Sequence, residues 1–110
     1  MEIIKEEKKD ITLFKLDGKF DAVSAPEAEK VIDKVISDGA KKIIINMGKV
    51  HYISSAGLRT LLIAAKDIKE EKGKIVICSM SEAVSRVFEI SGFSTIFETC
   101  DTEAEAVKRF

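Results

Sequence analysis

The strongest constraint on the fold is a block of three consecutive isoleucines, Ile43-Ile44-Ile45, set between Lys41-Lys42 and Asn46. A strand with one wet face alternates apolar and polar residues, whereas an unbroken β-branched run needs cover on both faces. The block therefore predicts a central, parallel strand. Lys74-Ile75-Val76-Ile77-Cys78 repeats the pattern and predicts a second buried strand. Parallel neighbours require long crossovers, usually helices, so the segments around these strands must be read for helical spacing.

They carry it. Ala28, Val31, Ile32, Val35 and Ile36 form an apolar stripe that Gly39 stops, and Ser24-x-x-Glu27 with Pro26 marks a start through a capping box. A second helix covers the Leu58–Ile68 region, starts at Ser54 or Ser55 after a connector containing Gly48 and His51, and ends at Gly73. A third runs from Ser81 to Ile90 before Gly92, and Asp101 is placed to cap a last one bearing Ala104, Val107 and Phe110. At the front, Ile3-Ile4 and Ile11–Leu16 predict an antiparallel pair across a charged Glu6–Asp10 turn, and Phe93–Phe97 predicts a short edge strand. The order is β-β-α-β-α-β-α-β-α: an α/β fold with a mixed, mainly parallel sheet of four to five strands and four helices, spanning 1–110 as one domain.

The balance of 18 Lys+Arg against 19 Asp+Glu leaves a net charge of −1, which gives no general pull toward nucleic acid or anionic membranes. The charged start Met1–Asp10 excludes a secretory signal, and no apolar run approaches the ~18 residues of a membrane span, so a cytoplasmic chain with reduced thiols is expected. Cys78 and Cys100 lack any C-x-x-C spacing and His51 is the sole histidine, so no zinc set or other metal site is expected. Gln is absent and Asn46 is the only Asn, a depletion of thermolabile amides that points to a thermophile source.

In parallel sheets, sites collect in the loops beyond the carboxyl ends of the strands. The loop after the Ile43–Ile45 strand leads to Ser54-Ser55-Ala56-Gly57-Leu58-Arg59, which puts two hydroxyls at a helix entrance. One serine can cap the helix; the other stays open beside small residues, free backbone N–H groups and the positive end of the helix dipole. That chemistry suits a phosphorylated serine better than a nucleophile, because the only imidazole, His51, lies in the same loop and no G-x-S-x-G elbow surrounds Ser55. Neither G-x-x-x-x-G-K-[ST] nor G-x-G-x-x-G is present, so no catalytic residues and no resident cofactor are expected. Phe20-Asp21-Ala22-Val23 puts apolar side chains in another loop, as core anchors or as partner contacts. Arg59 gains nothing from the dipole in a first turn, and serves as an ordinary exposed cation or as a contact to an acidic partner group or phosphate.

These residues resemble the STAS family, specifically its small free-standing bacterial members, the anti-sigma factor antagonists. The resemblance rests on Gly18-Lys19-Phe20-Asp21, on Ile43-Ile44-Ile45-Asn46, on Val50-x-Tyr-Ile-Ser-Ser-Ala-Gly-Leu ending at Leu58, on Gly73-Lys74, and on Val87-Phe88-Glu89-Ile90-Ser91-Gly92-Phe93. It implies partner switching and transcription regulation: the unmodified protein binds an anti-sigma factor that is also a serine kinase, freeing a sigma factor, and a phosphatase reverses the kinase. ATP is then supplied by the partner kinase, with no direct nucleic acid contact, no membrane span and a monomer when free. The family pattern Asp-Ser-Ser/Thr-Gly-Leu aligns Ser55 with the phosphorylated serine. Here Ser54 stands in place of the acidic residue, as the alternative phosphosite, and Ala56 in place of the second hydroxyl. The implied partner surface comprises Phe20, Asp21, Val23, Ser24, Ser54, Ser55, Ala56, Gly57, Leu58 and Arg59. A docking or small-ligand sensing module that is never phosphorylated is the alternative function.

Overall fold

The computed structural model describes residues 1–110. Five strands, β1 (Glu2–Lys8), β2 (Ile11–Phe20), β3 (Lys42–Ile53), β4 (Lys74–Cys78) and β5 (Glu98–Cys100), form one sheet in the order β1-β2-β3-β4-β5. β1 and β2 are antiparallel and every other neighbouring pair is parallel. The isoleucine block sits in the middle strand, with Ile43 and Ile45 facing one layer and Ile44 the other, each no more than 1% exposed. The expectation of a central parallel strand covered on both faces is borne out.

The two faces are covered unequally. α1 (Ala25–Ser37), α2 (Ser55–Glu70) and α3 (Glu82–Ile90) pack on one face over a core that includes Phe14, Phe20, Ile45, Leu61 and Phe88. The other face carries only α4 (Glu103–Val107), whose Ala106 closes over Ile11, Leu13, Ile44, Val76 and Cys78.

Several sequence expectations are corrected. β1 continues through Glu6, Glu7 and Lys8, leaving only Lys9-Asp10 as the turn. The edge strand tolerates these charges because one side faces water and opposite charges answer two of them, Lys15 pairing with Glu6 at 3.3 Å and Glu103 with Lys8 at 3.1 Å. The connector expected around Gly48 and His51 is strand. Two irregularities let β3 advance by two extra residues against β2, so Met47, Val50 and Ile53 all turn inward at a spacing of three that hides the strand from a period-two reading. Phe93–Thr95 forms a single helical turn in place of the expected edge strand, which falls at Glu98–Cys100; Phe97 is drawn into the core, edge-on to Phe88 at 5.6 Å. The last helix is capped by Thr102, whose hydroxyl accepts from the Glu105 amide at 3.1 Å, and it buries Ala106 while Ala104 stays exposed.

Because β2 and β3 are parallel neighbours, their carboxyl ends lie side by side. The helices that follow, α1 and α2, therefore begin at the same end of the molecule. That adjacency positions the candidate site.

Candidate functional site

The two helix entrances are tied together through the backbone. The Phe20 carbonyl, at the end of β2, accepts the Ser54 amide at 2.9 Å, so the residue preceding α2 is fixed to the residue preceding the α1 loop. Gly57 allows this closeness: a Cβ there would lie 2.6 Å from that same carbonyl oxygen, 2.9 Å from Ile53 Cγ1 and 3.0 Å from the Phe20 ring. The glycine of Ser-Ser-Ala-Gly-Leu is needed because two chain segments pass at van der Waals contact.

Ser54 is the cap of α2. Its extended backbone turns the chain into the helix, its hydroxyl oxygen accepts the Gly57 amide at 3.4 Å, and its carbonyl accepts the Leu58 amide at 3.0 Å. Ser55 is the first helical residue and is exposed. Its amide and that of Ala56 lie ahead of the first intrahelical bond, on the positive end of a helix of 16 residues with no acidic side chain in its first turn. Arg59, exposed four residues on, lies on the same face of α2 as Ser55, within reach of that turn for a side chain of its length.

The α1 entrance is built differently. Ser24 has helical backbone angles and makes no side-chain cap, so the expected capping box with Glu27 does not form. The turn lies three residues earlier. The Asp21 carboxylate accepts the amides of Val23 at 3.1 Å and Ser24 at 3.2 Å, while the Ser24 hydroxyl donates to the Lys19 carbonyl at 2.8 Å and accepts the Asp21 amide at 3.0 Å. The bond from the Ser24 amide, followed by that from Val23, holds the Asp21 carboxyl below its ordinary range against the opposing effect of desolvation. Asp21 is thus already engaged within its own loop.

The residues singled out from the sequence divide into two groups. Phe20, Gly57 and Leu58 are buried and shape the site from beneath. Asp21, Val23, Ser24, Ser54, Ser55, Ala56 and Arg59 reach the surface, and Val23 is 90% exposed, the most exposed of the large hydrophobic side chains. Tyr52, 51% exposed near the end of β3, was not singled out by the sequence reading because the irregular register of β3 disguised the strand that presents it. A shallow cleft between α1 and α2, lined among others by Ala22, Pro26, Ala56 and Arg59, continues the surface along the helix pair. No group of three or more His, Cys, Asp or Glu side chains is arranged to hold a metal ion.

The STAS domain family model matches residues 2–106. BtrV of Bordetella bronchiseptica, named as a candidate anti-sigma factor antagonist, is 34% identical over 95 residues that span 86% of this chain and 82% of its own. A candidate anti-sigma factor antagonist from Thermotoga maritima, known from a crystal structure, superposes with a TM-score of 0.93 at 23% identity, covering 97% of this chain and 92% of its own. The Bacillus cell fate determinant SpoIIAA, solved in its phosphorylated form, gives a TM-score of 0.77 at 23% identity and covers 98% of both chains. No helix here is long and apolar enough to cross a membrane.

Proposed function

Because the chain belongs to the STAS domain family, we propose that it is an anti-sigma factor antagonist that works by partner switching. In its unphosphorylated form it binds an anti-sigma factor with serine-kinase activity and thereby frees a sigma factor; phosphorylation at Ser55 ends that binding. The observation that carries the reading is the exposed Ser55 residue on the open, acid-free first turn of α2, beside the cleft between α1 and α2 that Ala22, Pro26, Ala56 and Arg59 line. A relative of 34% identity named for this role and a protein of the same fold solved with its phosphate in place support it.

The physics of the switch follows from the site. A phosphate adds roughly −1.5 to −2 charges and three strong acceptor oxygens. Within the protein it meets the unpaired amides of the α2 entrance and Arg59, so the fold absorbs it with little change. A partner packed over the same spot must instead desolvate that charge against groups arranged for a hydroxyl, at several kcal/mol. Even ~3 kcal/mol weakens binding by more than a hundredfold. ATP and the catalytic groups arrive with the kinase; this chain contributes the acceptor hydroxyl. A phosphatase returns it to the binding form.

Intact mass after incubation with kinase and ATP, followed by localisation of the phosphate, tests the proposal. A gain of one phosphate on Ser55, abolished in Ser55→Ala with kinase binding retained, is the expected result. Binding without any gain in mass would identify an unphosphorylated docking module. Phosphate on Ser54 with Ser55→Ala labelled normally would move the switch by one residue.

A further inference from the structure

The sheet face opposite the candidate site holds the only two cysteines, and the fold pairs them. Cys78 ends β4 and Cys100 ends β5, and the two are direct partners in the parallel register. Adjacent strands run about 4.8 Å apart, inside the span of about 4.4–6.8 Å over which Cα atoms are bridged by a disulfide. Residues opposite each other on neighbouring strands point to the same face, and both side chains lie in the small core beneath α4, with Cys78 fully buried and Cys100 half-buried. The Ser79 amide donates to the Cys100 carbonyl at 3.2 Å, which holds the two strand ends together immediately beside the thiols.

We propose that Cys78 and Cys100 are a disulfide-forming pair that, when oxidised, staples the short edge strand β5 to β4. In the reduced protein the Cys100 thiol donates to the Thr102 carbonyl at 3.4 Å, and that carbonyl also accepts the Ala106 amide at 3.1 Å, so α4 keeps its first backbone bond when the sulfur turns away. β5 has a strand on one side only, which makes Cys100 the entry point. With a low-molecular-weight disulfide as oxidant, the Cys100 thiolate attacks one of its sulfurs and expels the first thiolate. The Cys78 thiolate then attacks Cys100 Sγ and expels the second. One protein S–S bond replaces the oxidant's S–S bond, and the two protons of the protein thiols end on the two released thiols. Burial pushes both thiols up from their ordinary range, so the exchange is slow near neutrality and accelerates as pH rises. The bond closes the segment carrying α3 and the helical turn at Phe93–Thr95, which restricts the unfolded chain.

The test uses the full folded chain with oxidised glutathione at mildly alkaline pH, then alkylation in urea and intact mass. The expected product has lost about 2 Da, has no alkylatable thiol and yields one linked peptide pair containing Cys78 and Cys100. Its Tm rises on the order of 10 °C and returns on addition of dithiothreitol. Cys100→Ser removes both the mass loss and the Tm rise, whereas Cys78→Ala leaves Cys100 as a lasting glutathione adduct because the resolving thiol is gone. A lasting glutathione adduct on wild-type Cys100 with Cys78 still alkylatable, or an unchanged mass, overturns the proposal. None of these readouts involves Ser55 or a kinase, so they stand apart from the partner-switching reading.

Discussion

The entrances of α1 and α2 lie side by side at one end of the sheet, follow neighbouring parallel strands, and are joined by the Ser54–Phe20 backbone bond, yet they are finished in opposite ways. At α1 a carboxylate is already in place: Asp21 takes the Val23 and Ser24 amides, and Glu27 adds a second negative charge in the first turn. At α2 a neutral serine takes one amide, nothing acidic follows, and a second serine stands open to solvent. The dipole of each helix favours negative charge at this end. The protein supplies that charge itself at α1 and none at α2, which under the proposed function makes the α1 loop fixed scaffold and the α2 entrance the control point.

The contrast can be broken most directly by adding the charge. Ser55→Asp, or stoichiometric phosphorylation, is expected to weaken binding to the kinase partner at least a hundredfold in titration calorimetry while moving Tm by no more than about 3 °C, because the free helix end accepts what the interface rejects. A large fall in Tm would show that the α2 entrance is as fully built as that of α1. The second-largest effect tests the lock between the entrances. Gly57→Ala pushes a methyl against the Phe20 carbonyl and Ile53, and urea unfolding should show a loss of about 2–3 kcal/mol, with the native fold surviving.

Smaller effects sharpen the picture. Val23→Ala removes the most exposed apolar side chain of the α1 loop; it is expected to weaken partner binding about tenfold with stability within ~0.5 kcal/mol, which separates partner contact from core anchoring. Ser54→Ala deletes one long cap bond and should lower stability by about 0.5–1 kcal/mol, while phosphate transfer to Ser55 continues. Last comes Asp21→Asn. The folded carboxyl titrates below its unfolded value, so its contribution to stability is present above the unfolded pKa of about 3.9 and is lost as pH falls through the lower, folded one. The Tm of the wild type should therefore drop more steeply than that of Asp21→Asn as pH is lowered from 5 to 3. Equal slopes would mean that the carboxylate charge contributes nothing to the loop.

Much of this was legible beforehand, and the reasons are local. Ile43-Ile44-Ile45 and Ile75-Val76-Ile77 are buried on both faces in the structure, because no other setting tolerates such runs. Of the stripe expected for α1, Ala28, Ile32, Val35 and Ile36 are buried and Val31 is half-buried, and Gly39 follows the helix at φ 105°, which only glycine enters without cost. That one of the two serines caps α2 while the other stays open also follows from sequence, since two adjacent serines cannot share one cap; the structure gives the cap to Ser54. The α1 start was misread for the converse reason: Ser24-x-x-Glu27 satisfies the pattern of a capping box, but Asp21, three residues upstream, already holds the amides that the box would have used.

The strand–helix order, the central position of β3 and the helix entrance with two adjacent serines are written in the sequence alone, because each depends on side chains within a few residues of one another. Only the tertiary structure decided the rest. It placed Tyr52 on the surface through an irregular register with β2, engaged Asp21 within its own turn, made any side chain at Gly57 costly through the Phe20 carbonyl, and set Cys78 beside Cys100. Apart from the Asp21 turn, these are contacts between residues more than twenty positions apart, and even that turn was decided by which of two local hydrogen-bonding patterns the packed chain left in place. Hydrophobic periodicity records which face a residue turns toward the core; it carries no record of which neighbour lies opposite.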